Sequence, residues 1–367
     1  MNNFSSSSDL TKFFKDNNFK KILIICGENS FNNSGAEELV KKHIINKKVQ
    51  IYFKKHPYPD VDELKKIIFE MKKFSPELII AVGGGSVLDY AKVANALSKS
   101  ENLREEIIHS TYKLDNKFTK LVAIPTTAGS GAEVTSNAVI YVDKKKYSVE
   151  GSSIRPDFFF LIPELVINAS YKIKSSAAFD AIAQSIESLI SKKSDEKSII
   201  FAEKSLKISL KNFLNFLEKP DLENTSAMCL AANLSGEAIN ISRTTAPHAV
   251  SYPFTSIYNI SHGHAVSLTL NKFLKYNYEN ISLSNCKFDL KQRFQILFSL
   301  TNTNDIQSLD KYLQNLKQKA NLEDNFKKLG IDINKDYDKI ISGINLMRLS
   351  NNPIELDQNA LRNIILT

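Results

Sequence analysis

Cysteine is scarce: the chain has three, Cys26, Cys229 and Cys286, in 367 residues. They lie far apart and are odd in number. This excludes a disulfide framework and a CxxC metal knuckle, and it fits a reducing, cytoplasmic setting. Long apolar runs are also missing. None approaches the roughly 20 residues that span a bilayer, so no membrane partner is expected. The opening MNNFSSSSDLTKFFKDNNFKK has no basic region followed by an apolar core, so no secretory signal is expected either. Ser5 to Ser8 read as a flexible lead-in, with Asp9 near a helix cap. Lysines are spread along the chain without interleaved aromatics, which argues against a nucleic-acid partner despite a net charge of +8. That positive field suits a small anionic substrate. No internal repeat stands out. What remains is a folded chain, 43% hydrophobic and 24% charged, whose length suggests two domains.

The stretch Ala81 to Lys92, AVGGGSVLDYAK, organises the first half. The apolar run Leu78 to Val82 predicts a buried parallel strand. Gly83, Gly84, Gly85 and Ser86 then break it. Val87, Leu88, Ala91, Ala94 and Leu97 follow at helical spacing. Strand, glycine turn and helix in that order offer bare backbone N–H groups and a helix N-terminus to a phosphate. Further strands are expected at 21–26, 49–54, 119–124 and 158–162, with helices at 10–19, 37–43 and 61–73. A hairpin is expected over 139–149, turning at Asp143 and Lys144. Strands alternating with helices predict a doubly wound parallel sheet, with ligands at the carboxyl ends of the strands. A second loop of small and hydroxyl residues, Thr126 to Thr135, follows the fourth strand and suits a pyrophosphate or ribose.

Beyond about residue 171 the pattern turns helical: 175–192, 195–217, 225–241, 264–278, 287–298, 306–320 and 335–346. The expected domains are 1–170, α/β, and 171–367, all-helical. On the first of these helices Asp180, Gln184 and Glu187 fall at i, i+4 and i+7, on one face. Three of the six histidines lie between 248 and 264: His248, His262 and His264, with Tyr252 and Tyr258 near them. Such a cluster suits either a metal or proton transfer. The spacing of His262 and His264 does not put both on one helical face.

At these residues the chain resembles the iron-containing (group III) alcohol dehydrogenase family. The matching pieces are GGGSVLDYAK (83–92), IPTTAGSGAEVT (124–135), RPDFFFLIPEL (155–165), FDAIAQSIES (179–188) and HAVSYP…SHGHA (248–265). The resemblance implies a Rossmann-like dinucleotide domain of dehydroquinate synthase type, an all-helical second domain and an active site between them. It implies NADH or NADPH as cofactor, with Gly83, Gly84, Gly85 and Ser86 at the pyrophosphate and Asp89 bracing the loop. Thr126, Thr127 and Ser130 would line the nucleotide site, and Lys146 would lie near the nicotinamide ribose. Between Gly27, which leaves room for a 2′-phosphate, and Glu28, which repels one, the choice of cofactor stays open. A homodimer is the family expectation.

The family holds Fe²⁺ or Zn²⁺ with one aspartate and three histidines. Asp180, His248 and His262 match three of these ligands, while Gln184 stands at the fourth, as a weak donor. One carboxylate and two imidazoles suffice for a catalytic zinc or a facial-triad iron, so a weakened metal site is expected. The other reading is a vestigial site whose residues only bridge helices. A family histidine near the nicotinamide is replaced by Tyr252, which becomes the candidate proton donor together with His262. Within the family, segments 239–265 and 346–365 look most like the group that reduces phosphonoacetaldehyde. A phosphonate needs cationic anchors, for which Arg243 and then Lys146 are the candidates. The competing readings are an alcohol dehydrogenase for an uncharged short-chain substrate, a non-catalytic nucleotide binder, and a lyase of dehydroquinate synthase type.

Overall fold

The computed structural model describes residues 6–114, 117–344 and 346–366. The chain forms two compact units: Met1–Ser170 with Asp221–Asn233, and Tyr171–Pro220 with Leu234–Thr367. Residues 221–233, which the expected boundary near 170 assigns to the second domain, group with the first unit. One tie is visible in the side chains. Asn233 Nδ2 donates to the Glu133 carboxylate at 2.9 Å.

In the first unit, β1 (Lys21–Gly27), β2 (Lys48–Lys54), β3 (Leu78–Gly83) and β4 (Lys120–Pro125) are strands, as are β5 (Asn137–Val142), β6 (Lys145–Glu150) and β7 (Phe158–Phe159). Five of them pair in parallel in the order β2-β1-β3-β4-β7. Every residue of β3 is buried, as an apolar run covered on both faces requires. The chain runs from β1 to β2 on one side and then crosses back over β1 to β3 on the other. The topological switch point is therefore between β1 and β3, where ligands of such sheets bind. The glycine loop leaves β3 at that point. β5 and β6 pair antiparallel, and Asp143 and Lys144 turn the hairpin with φ of +50° and +64°, as a type I′ turn demands.

Two sequence expectations shift here. The serine run is not a lead-in where it is described: Ser7 and Ser8 start the helix Ser7–Asp16. Ser6 Oγ caps it by accepting from Asp9 N at 3.2 Å, and Ser5 lies outside the described residues. β7 is two residues long because Pro156 precedes it and Pro163 opens a 3₁₀ turn just after it.

A buried lysine holds the nucleotide-side loops. Lys92, 1% exposed on the helix Gly85–Ala96, donates to Ala132 O at 2.9 Å, Thr135 Oγ1 at 2.9 Å and Asn137 O at 2.6 Å. Asp89, one turn earlier, accepts from Val139 N at 3.0 Å. Burial pulls Lys92 down to about 8, against the attraction of Asp89 and Glu133. Replacing Lys92 by Met leaves its acceptors short of a donor, and denaturant unfolding is expected to show a loss of about 3 kcal/mol. Between pH 8 and the ordinary value of 10.5 the unfolded chain keeps a proton that folded Lys92 has released. Lys92 therefore adds stability as pH rises, by about 1.4 kcal/mol per pH unit, and the methionine variant is expected to lack that rise.

The second unit contains no strand among its described residues. Its helices include Tyr171–Ile190, Glu196–Glu218, Ala246–Tyr258, His262–Glu279, Leu290–Thr301 and Ile306–Lys319, with the later part of Leu222–Ser242. Asp195 and Ser198, and again Asp305 and Ser308, form reciprocal capping boxes. The long first pair packs through small residues, with Ser185 Oγ donating to Ser205 Oγ at 2.8 Å. The expected helix 335–346 is Tyr337–Ser342, and residue 345 lies outside the described residues. The helix Ala246–Tyr258 was not expected, because Pro247 and Pro253 discourage it. Pro247 falls in the first turn, where no N–H partner is needed, and Pro253 is accommodated inside the helix.

Candidate active site

In the first unit, the glycine loop and the second hydroxyl loop meet. Thr126 N donates to Gly83 O at 3.0 Å. A Cβ on Gly84 would lie 3.4 Å from Thr127 Oγ1, and one on Gly85 would lie 2.7 Å from Ser130 Oγ. The structure therefore brings Gly83, Gly84, Gly85, Ser86, Thr126, Thr127 and Ser130 into one region at the carboxyl ends of β3 and β4. Gly131 turns the second loop with φ of +60°. Asp89 braces the start of the hairpin, and Lys146 lies on the return strand, close enough to act on Asp89 electrostatically.

In the second unit, a polar constellation sits in an apolar helical core. Asp180, Gln184 and Glu187 form a buried stripe on Tyr171–Ile190. His248 and Tyr252 share a face of Ala246–Tyr258, four residues apart. His262 opens the next helix. One ligand atom each from Asp180, His248 and His262 lie within 4.8 Å of one another. His248 Nε2 is 3.2 Å, and His262 Nε2 3.9 Å, from the same Asp180 Oδ1. Tyr252 and His262 lie nearly parallel, with ring centroids 6.0 Å apart. One carboxylate and two imidazoles converging in this way fit a divalent transition metal. Burial disfavours a charged His248, but Glu187 and Asp180 outweigh it and push His248 up to about 9.

The helices meet closely for a specific reason. A Cβ on Gly263 would lie 2.0 Å from Ser176 O and 2.8 Å from Asp180 Cβ. Glycine here lets the helix His262–Glu279 press against Tyr171–Ile190 and carries His262 to Asp180. His264 faces elsewhere and donates through Nε2 to Glu323 O at 2.6 Å. Gln184 turns its Nε2 to Asp180 Oδ2 at 3.1 Å, while its oxygen accepts from Ser235 Oγ at 3.0 Å. The amide thus steadies the aspartate. Arg243 is half-buried with φ of +62°, in a turn that Asn351 Nδ2 holds through Ser242 O and Thr244 O, both at 2.9 Å.

A family model for iron-containing alcohol dehydrogenase matches residues 4–163, and a model for the C-terminal part of the Fe-containing alcohol dehydrogenase family matches residues 174–367. The chain belongs to the iron-containing alcohol dehydrogenase family. It is 30% identical over 226 residues to a phosphonoacetaldehyde reductase of Streptomyces viridochromogenes, a match covering 59% of this chain and 57% of that protein. It is 27% identical over 261 residues to a 1-propanol dehydrogenase of Salmonella typhimurium, covering 70% and 67%. The first of these matches thus spans little more than half of the relative's length. Among solved structures, a sulfoacetaldehyde reductase from Bifidobacterium kashiwanohense in complex with NAD⁺ superposes with a TM-score of 0.87 at 24% identity, over 99% of this chain and 95% of that one. An iron-containing alcohol dehydrogenase from Thermotoga maritima gives 0.84 at 22%, over 99% and 95%.

For an iron-containing alcohol dehydrogenase, the structure adds four residues that carried no role in the sequence reading. Glu187 was visible as the third residue of the helical stripe. Lys92 stood in the glycine motif, and Thr245 flanked the histidine segment. Gly263 stood within the matching SHGHA piece without a role of its own, because only its neighbours reveal why a side chain is forbidden there. Gly263→Ala must drive the two helices apart against backbone. It is expected to cost about 1–3 kcal/mol in denaturant unfolding and to weaken zinc uptake, measured by competition with a chelator.

Proposed function

We propose that the chain catalyses NAD(P)H-dependent reduction of a small anionic aldehyde to a primary alcohol, with phosphonoacetaldehyde giving 2-hydroxyethylphosphonate. The observation that carries this reading is the convergence of Asp180, His248 and His262 within 4.8 Å in a member of this family. Similarity to a phosphonoacetaldehyde reductase supports the substrate class. The nicotinamide would supply hydride, and Fe²⁺ or Zn²⁺ held by Asp180, His248 and His262 would supply Lewis acidity at the carbonyl oxygen.

The chain's own groups do the rest. Backbone N–H groups of Gly83 to Ser86 bind the pyrophosphate, and the hydroxyls of Thr126, Thr127 and Ser130 hydrogen-bond the nucleotide. Asp89 keeps the hairpin in place, and Lys146 serves the ribose and the substrate's charge. Arg243 grips the phosphonate as a two-pronged donor. Tyr252 donates a hydrogen bond and then a proton to the developing oxyanion; His262 is the alternative donor only where it is not a metal ligand. The proposed working form is a cytoplasmic homodimer.

The second reading is an alcohol dehydrogenase for uncharged short-chain substrates, which the similarity to a 1-propanol dehydrogenase favours. Oxidation of NADH and of NADPH should be followed with phosphonoacetaldehyde, propanal and glycolaldehyde. Phosphonoacetaldehyde is expected to have the highest kcat/KM. A preference for propanal selects the second reading, and cofactor binding without any turnover rejects both. Arg243→Ala is expected to raise KM for phosphonoacetaldehyde by about tenfold or more, with kcat little changed. An unchanged KM overturns the anchor. Elemental analysis should find Fe or Zn, and full activity without either overturns the metal assignment.

A further inference from the structure

Behind His248 stands a carboxylate with no exposed surface. Glu187 is 0% exposed, and its Oε1 is hydrogen-bonded to His248 Nδ1. Its Oε2 accepts from Thr245 N at 2.7 Å and Thr245 Oγ1 at 2.8 Å. A buried carboxylate is costly unless its oxygens are paired, and here both are. The Thr245 end is itself anchored. Asn351 Nδ2 donates to Ser242 O and Thr244 O, both at 2.9 Å, and to Ser191 Oγ at 2.7 Å. A line of hydrogen bonds therefore runs from the C-terminal segment through the Ser242–Thr245 turn to Glu187 and then to His248, whose other nitrogen faces Asp180.

We propose that Glu187 is a positioning residue: it holds the proton of His248 on Nδ1 and so leaves the Nε2 lone pair directed at the space shared with Asp180 and His262. An imidazole can ligate only through an unprotonated nitrogen, and a hydrogen bond at the other nitrogen selects which one that is. Asp180 cannot make this selection, because it lies on the ligating side. Thr245 N–H can only donate, so one oxygen of residue 187 must face it and the other end must face His248. Glu187→Gln keeps the shape but points its NH₂ at Nδ1. The His248 proton is then forced onto Nε2, where it blocks ligation.

This inference rests on the proposed metal centre in its zinc measurement and stands apart from it in its NMR measurement. Zinc affinity of the full chain, stripped and then titrated against a chromophoric chelator, is expected to fall about 10–100-fold in Glu187→Gln. Thr245→Val keeps the backbone donor to Glu187 and is expected to change zinc affinity by less than about threefold. Zinc binding as tight as wild type in Glu187→Gln, or equal losses in both variants, overturns the proposal. Should wild type bind no zinc, the proposed metal centre fails. Histidine ¹⁵N spectra of the metal-free protein at alkaline pH then decide the role of Glu187. The proton is expected on Nδ1 in wild type and on Nε2 in the variant, and the same tautomer in both overturns the proposal.

Discussion

The helical unit depends on one close approach. At Gly263 the start of one helix lies so near the backbone of another that a single added carbon would sit 2.0 Å from Ser176 O. That contact sets the distance between His262 and Asp180. Interiors are packed too densely to absorb such an intrusion, so the separation of the two helices and the separation of the polar atoms are one quantity. His248 arrives from a third helix, whose N-terminal turn is tied to Glu187 through Thr245. Three helices therefore meet under two constraints, a missing side chain and a buried carboxylate.

Polar groups in this core are paired outward in layers. Gln184 braces Asp180 and is itself held by Ser235, while Glu187 braces His248 and is held by Thr245. The outermost layer is Asn351, which fastens the turn carrying Arg243 in its left-handed conformation. A non-glycine residue stays in that region only where its surroundings over-determine it. The proposed substrate anchor thus shares its support with the proposed ligand His248, so the C-terminal segment bears on both.

The sheet unit reaches order by different means. Its loops are shaped by backbone that can come close because Gly84 and Gly85 have no side chain, and by one buried ammonium, Lys92, that serves three acceptors of the neighbouring loop and hairpin. Glu63 plays a similar part nearby, accepting from Lys55 N, His56 N and the Tyr90 hydroxyl. In both units a charged residue is buried to fix the path of a loop.

Much of this was legible in the residues alone. The alternation of apolar strands with helices, the glycine break after Val82, the turn at Asp143 and Lys144, and the stripe Asp180, Gln184, Glu187 are local patterns, and local patterns follow from spacing and backbone preference. The helix Ala246–Tyr258 was not legible, because its two prolines oppose it locally and packing overrides them. The grouping of 221–233 with the sheet unit, the turning of Gln184 toward Asp180 and Ser235, and the need for glycine at 263 were equally hidden. Each depends on atoms far away in the chain. Spacing and backbone preference along the chain specify most of its strands and helices and the side chains able to do chemistry. Which of them meet is settled by packing, since close approach and buried pairing are properties of neighbours that no single stretch contains.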